Sequence, residues 1–176
     1  MTLTLSKSAL HQLDLLRPVL QAAPWKGICD YWEMIEAECG IAGRAWLGRN
    51  DRYFLLTRIL HRLDAFHPWL YARCREVEAA PDGYLDLWAR EHYKSTIITF
   101  AGIVQEIARD PEITIAIFSH TKPVARKFLN QIKKEMESNV ELQETYPEVF
   151  WADPKRQAPQ WSEEKGLIVQ RKTNPK

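Results

Sequence analysis

The feature that most constrains the fold is a change of hydrophobic rhythm at Ala79-Ala80-Pro81-Asp82-Gly83. Proline, aspartate and glycine in that order mark a turn. Before it the apolar residues recur at helical spacing, and after it short β-branched runs alternate with helical stretches. A chain written this way divides into an all-helical region over residues 1–80 and an α/β region over residues 81–176.

In the first region, Ser6 is placed to cap a helix that carries Leu10, Leu13, Leu16 and Leu20 on one face, with Pro18 interrupting it. A second helix is expected over residues 25–38, ended by Gly40. Asp51 caps a third that turns Phe54, Leu55, Ile59 and Leu63 inward. His67-Pro68 opens a fourth, because proline at the first helical position lacks only an N–H that would be unpaired there. In the second region, residues 84–89, 113–118 and 166–170 read as strands, and residues 95–109 and 122–138 as helices. Strand, helix, strand, helix, strand implies a parallel sheet with right-handed crossovers.

Composition sets outer limits. Of 176 residues 45% are hydrophobic and 27% charged, the balance of an ordinary globular chain. A net charge of +1 provides no global basic field, so nucleic-acid contact has to come from local patches. Cys29, Cys39 and Cys74 include no C-x-x-C pair and are odd in number, which suits free thiols in a reducing compartment. The N-terminus lacks the basic-then-apolar plan of a signal peptide, and no apolar run approaches the roughly 18 residues of a membrane span. Seven tryptophans are expected to serve mainly as core.

The chemistry is concentrated in Trp88-Ala-Arg-Glu-His-Tyr-Lys-Ser-Thr96, between an expected strand and an expected helix. A helix N-terminus there offers unpaired N–H donors and a partial positive charge to an anion. In a phosphate-binding loop Lys94 reaches the β- and γ-phosphates and the Ser95 hydroxyl coordinates Mg²⁺. The pattern G-x-x-x-x-G-K-[ST] places glycine where this chain has Trp88 and Tyr93. On spacing alone the opposite assignment stays open: Ser95 or Thr96 capping a helix, with Lys94 solvated. His92 has no second metal ligand at a suitable spacing, and Tyr93 is a packing candidate.

The stretch from Leu85 to Phe100 resembles the degenerate Walker A segment of phage terminase large subunits, the motor ATPases that package viral DNA. The similarity continues through Ile117-Phe-Ser-His-Thr-Lys122, Phe128-Leu-Asn-Gln-Ile-Lys-Lys-Glu135, Tyr146-Pro-Glu-Val-Phe-Trp151 and Gln160-Trp-Ser-Glu-Glu-Lys-Gly-Leu-Ile-Val169, covering roughly residues 50–176 as an ordered set. Relatives commonly replace the first glycine but often keep the second, from which Tyr93 departs. The resemblance implies an N-terminal helical subdomain followed by an incomplete P-loop NTPase parallel sheet with flanking helices. It implies ATP and Mg²⁺ as cofactors, held by Ala89, Arg90, Glu91, His92, Tyr93, Lys94, Ser95 and Thr96, with Ser95 on the metal. Lys94 and Arg90 are the implied catalytic residues, Arg90 sitting where terminases carry an arginine directed at the γ-phosphate. Double-stranded DNA, a portal protein and a small terminase subunit are the implied partners. The implied setting is host cytoplasm, and a ring oligomer is implied only for the full-length protein.

Further candidates follow by position. Ser119, His120 and Thr121 come after the second expected strand, at the end where ligands bind in parallel sheets; Thr121 doubles as a helix cap. Phe66, Trp69 and Arg73 suit an adenine pocket or simply the core. Lys122, Arg126, Lys127, Lys133 and Lys134 make a basic helix face, open to DNA phosphates or to solvent. No apolar strand is followed by paired acids, the motif that holds Mg²⁺ and positions the attacking water, and no nuclease domain built on clustered aspartates follows. The expectation is weak nucleotide binding with negligible turnover, in a truncated gene or one part of a split protein. The alternatives are a non-catalytic helical binding module with an incidental Lys-Ser-Thr cap, and another P-loop enzyme such as a helicase-like ATPase or a small-molecule kinase.

Overall fold

A computed structural model describes residues 7–89 and 91–171, with side chains from residue 12 onward. The chain forms two compact units, Met1–Ala89 and Arg90–Lys176, described in turn.

The first unit is helical. α1 (Lys7–Ala22) runs through Pro18 without ending there, and seats Leu13 and Leu20 in the core. α2 (Ile28–Asn50) follows a 3₁₀ turn at Trp25–Gly27. It does not stop at Gly40 but bends there, the glycine taking φ 57°, a left-handed conformation cheap only without a Cβ. The bend carries Gly43 so close to the preceding turn that a Cβ on it would sit 2.6 Å from the Ile35 carbonyl oxygen. α3 (Arg52–Phe54) continues as a π-helical turn, Leu55–Ile59, and α4 (Pro68–Ala79) begins with proline at its first turn, as expected.

Asp51 is the cap of α3 and more. Its carboxylate is fully buried and accepts four hydrogen bonds: from the Tyr53 and Phe54 amides at 3.0 Å each, from Trp32 Nε1 at 2.9 Å and from Arg75 Nη2 at 2.8 Å. Arg75 also bonds Glu78 at 3.1 Å, and Glu78 accepts the Arg52 amide at 2.7 Å. A buried carboxylate is tolerated because every lone pair is occupied. Around the knot pack Trp25, Trp32, Tyr53, Phe54 and Tyr71, with the Tyr53 and Tyr71 rings edge to face at 5.2 Å.

In the second unit, α5 combines a π-helical stretch, Thr96–Gly102, with an α-helical one, Ile103–Arg109. It buries Ile97, Phe100, Ala101, Val104 and Ala108, and α6 (Lys122–Ser138) packs against it. Asn139 caps α7 (Val140–Thr145) by accepting the Leu142 amide at 2.8 Å, and a short α8 (Pro154–Gln157) leads into a hairpin. β1 (Trp161–Ser162) and β2 (Gly166–Leu167) pair antiparallel, Trp161 opposite Leu167.

The expected P-loop parallel sheet is not there. Among the described residues the fold is mostly helical, with this two-stranded antiparallel hairpin as its sheet. Residues 84–89 and 113–118 have the alternation of strands but no ladder partner among the described residues. β-propensity measures fit to a pleated, paired surface, and it cannot supply the neighbour. The third expected strand is taken by a local partner instead. Glu163-Glu164-Lys165 folds back, Gly166 adopts φ 102°, and the Ile168 amide donates to Gln160 at 3.0 Å. Closing so short a loop costs far less entropy than a crossover. None of the helices among the described residues is long and apolar enough to cross a membrane.

Candidate functional site

The second unit brings Glu91, His92, Tyr93, Lys94, Ser95 and Thr96 together as a tight turn feeding α5. Glu91 and Tyr93 both lie in the left-handed region, at φ 64° and 62°. Side chains with a Cβ adopt it at a cost of roughly 1–2 kcal/mol, more awkwardly for a bulky ring. Tyr93 is the residue ahead of Lys-Ser, where the phosphate-loop pattern has its second glycine. Tyr93 thus holds a left-handed φ that glycine would adopt freely. The Tyr93 carbonyl accepts the Ile97 amide at 2.8 Å, which starts the helix. Ahead of that bond lie the amides of Lys94, Ser95 and Thr96, the first of the helix, for which the helix itself provides no acceptor.

Lys94, Ser95 and Thr96 are half-buried, whereas Glu91 and His92 are exposed. Lys94 makes no ion pair with any described carboxylate, and neither does Glu91. Ser95 stands first in line to cap the π-helical stretch, with φ −65° and ψ −30°, yet its side chain accepts no capping hydrogen bond. The capping assignment of this hydroxyl thus finds no bond to rest on. Ala89 closes the first unit as an exposed residue, and Arg90 lies outside the described residues. For Mg²⁺ the turn offers the Ser95 hydroxyl, with the Thr96 hydroxyl and the Glu91 carboxylate near it in sequence. No cluster of three or more His, Cys, Asp or Glu side chains that would hold a metal occurs among the described residues. The donor set matches a phosphate chain better than a bare cation, so no chemical step is assigned to a metal here.

Other candidates fall elsewhere. Thr121 occupies the cap position of α6, but its side chain makes no capping bond. Ser119 Oγ lies 3.5 Å from His120 Nδ1, both exposed. Within the basic face, Arg126 pairs with Glu164 and Lys133 lies 3.1 Å from Glu137, which leaves the exposed Lys122, Lys127 and Lys134 as its solvent-facing charges.

In the first unit, Phe66 packs one face on Trp25 at 4.7 Å while remaining 47% exposed, so it lies at the edge of the aromatic cluster rather than in the core. Trp69 and Arg73 do not frame an open base slot. Both close on Trp88: the Trp69 ring edge to face at 5.5 Å, the Arg73 guanidinium 4.0 Å above it. Arg73 also bonds Asp86 at 3.1 Å. Sequence reasoning missed Asp86 and Trp88 as a pair. The available signal was their spacing of two within an alternating run, which puts both on one face while Leu85 and Leu87 stay 76% and 81% exposed.

Compared with models of protein families, with curated proteins and with solved structures, the chain matches none.

Proposed function

We propose that residues 89–96 bind the triphosphate of ATP, and that the chain is the ATP-binding portion of a viral DNA-packaging motor of the terminase large-subunit kind. The observation that carries the reading is Tyr93 at φ 62°, directly ahead of Lys94 and Ser95 at the start of α5. A tyrosine held left-handed at a functional-looking bend is a strained residue, and such strain persists where a geometry is required. The reading rests on this turn and the residue order around it, not on a parallel sheet.

In this account the amides of Lys94, Ser95 and Thr96 and the Lys94 ammonium hold the phosphate oxygens, and the dipole of α5 favours their charge. Ser95 provides the hydroxyl that a nucleotide-bound Mg²⁺ takes up. Arg90, next to this turn in sequence, is the second cation that the resemblance assigns to the terminal phosphate. Packaging adds double-stranded DNA, a portal protein and a small terminase subunit as partners of the complete motor, in host cytoplasm; Lys122, Lys127 and Lys134 are the charges of α6 available to DNA phosphates.

Titration with a fluorescent ATP analogue tests the reading. The chain should bind, and Lys94→Ala should weaken binding at least about tenfold, the loss of one charge-assisted contact. Equal affinity of Lys94→Ala and the parent chain contradicts it, provided both retain the same circular dichroism.

A further inference from the structure

A groove of about 360 Å³ opens in the second unit between α5, α6, the segment 113–117 and the hairpin. Its wall is aliphatic and holds no aromatic ring: Ile103 and Ile107 come from α5, Ile115 from the segment, Leu129 and Met136 from α6, and Leu167 from β2. A concave, mostly apolar space of this size with a few polar groups at its edge is the usual form of a small-molecule site. At the roughly 30 Å³ that a water takes up in the liquid, it holds about a dozen non-hydrogen atoms.

The charges lining it are unequal. Lys122, Arg126 and Arg171 stand against Glu163 and Glu164, which leaves one positive charge in excess. The excess is best placed on Arg171. Arg44, Arg73, Arg75, Arg126 and Arg171 each keep an Nε that is shut off from solvent and has no hydrogen-bond partner among the described residues. The first four nevertheless hold a carboxylate, that of Glu36, Asp86, Asp51 and Glu164 in turn. Arg171 is half-buried and holds none among the described residues; its Nη2 donates instead to the neutral Ile113 carbonyl at 3.3 Å. A half-buried cation beside an apolar wall is costly until an anion joins it. With Glu163 also at the groove, one negative charge rather than two completes the balance.

We infer that this groove binds a medium-chain aliphatic monocarboxylate, a linear acid of about eight to ten carbons by the volume, with its tail along the aliphatic wall and its carboxylate on Arg171. Each part of the groove selects part of that class. The wall has only aliphatic side chains to offer a tail and no ring on which a planar ligand would stack. A guanidinium takes a carboxylate through two parallel N–H groups, and the unbonded Nε of Arg171 is one of them. Lys122, exposed and without an ion pair among the described residues, adds attraction for an anion. A phosphate would bring a second negative charge against Glu163. The inference is independent of the nucleotide turn, since none of residues 89–96 lines the groove.

Isoleucine and leucine methyl NMR of the intact chain during addition of sodium octanoate, to about 3 mM, tests this in the range of millimolar dissociation constants. Saturable shifts are expected at the methyls of Ile103, Ile107, Ile115 and Leu129. Octanol and octylamine should bind the parent chain at least about tenfold more weakly, the worth of one charge-assisted contact. Arg171→Gln should weaken octanoate about tenfold and leave octanol unchanged. Ala125→Leu narrows the groove from α6 with a residue that suits a helix, and should exclude octanoate from a chain that circular dichroism shows folded. The inference is overturned by the absence of saturable shifts, by octanol or octylamine binding as tightly as octanoate, by shifts that gather instead on the exposed Leu85 and Leu87, or by either folded variant binding octanoate as the parent does. The comparison of the three ligands on the parent chain decides the matter even where a variant fails to fold.

Discussion

At the scale of single residues, Asp51 and Tyr93 carry the account, one for stability and one for function. Asp51 accepts four hydrogen bonds with no exposure to water, so its removal strands an arginine, an indole N–H and two amides at once. Asp51→Ala is expected to lower the stability of the first unit by about 3–5 kcal/mol, the usual result of breaking a buried ion pair from one side; urea unfolding followed by tryptophan emission measures it. Cys74 belongs to the same knot. Burial pushes its thiol far above the ordinary cysteine value, with the carboxylates of Glu78 and Asp51 adding to the effect. Native protein should therefore react with a thiol reagent at the half-buried Cys29 and Cys39 but at Cys74 only on unfolding. Three thiols reacting together in the native state contradict that packing. At Tyr93 the strain argument gives a sign: Tyr93→Gly relieves the left-handed cost and should hold nucleotide at least as tightly as the parent, whereas Tyr93→Val should bind worse.

Elements were legible in the sequence where their cause was local. Asp51 as a cap, Pro68 as a helix opener and the span of α6 follow from side-chain chemistry within a few residues, and the structure has each of them. The bend at Gly40 was visible as a glycine but not as a continuing helix, because what carries α2 onward is the burial of Trp46 and Leu47 beyond it. The strands were misjudged for a physical reason. Residues 84–89 and 113–118 show a strand's alternation, but a ladder is a property of two segments, and a single run says nothing of its neighbour. Of the candidate site, Lys94 and Ser95 were readable from their order, while the left-handed backbone at Tyr93 was not, since glycine is its usual marker and is missing. The hairpin that replaced the third strand gives a pH prediction. Burial raises the pKa of Glu137, but hydrogen bonds from Trp161 and Lys133, with the charges of Lys133 and Lys155, outweigh it and hold the pKa below the ordinary glutamate range. A depressed carboxylate stabilises the fold above its unfolded pKa and loses that contribution as pH falls through the folded one. Trp161, whose Nε1 donates to Glu137 at 2.8 Å, should thus report loosening of the hairpin below about pH 4. In Glu137→Gln this acid step should be absent; its persistence there assigns it to another group.

For the molecule as a whole, the proposed nucleotide turn and the aromatic and ionic packing described first lie in different units. The aromatic and ionic knot of the first unit explains why its helices form, but it spends Trp69 and Arg73 on Trp88 and Asp86, leaving no open slot for a base there. The second unit holds the left-handed turn, Lys94 with no ion pair among the described residues, and the strand-like run at 113–118 with no ladder partner among them. Far-UV circular dichroism should be dominated by helix, and a strand-rich spectrum contradicts the architecture. The most direct test of the central claim is amide NMR of the chain during addition of Mg-ATP. The account predicts saturable shifts centred on the amides of Glu91 to Thr96, abolished in Lys94→Ala, with inorganic triphosphate reproducing most of them. Shifts that saturate elsewhere while this turn stays unchanged, or none at millimolar nucleotide, contradict it.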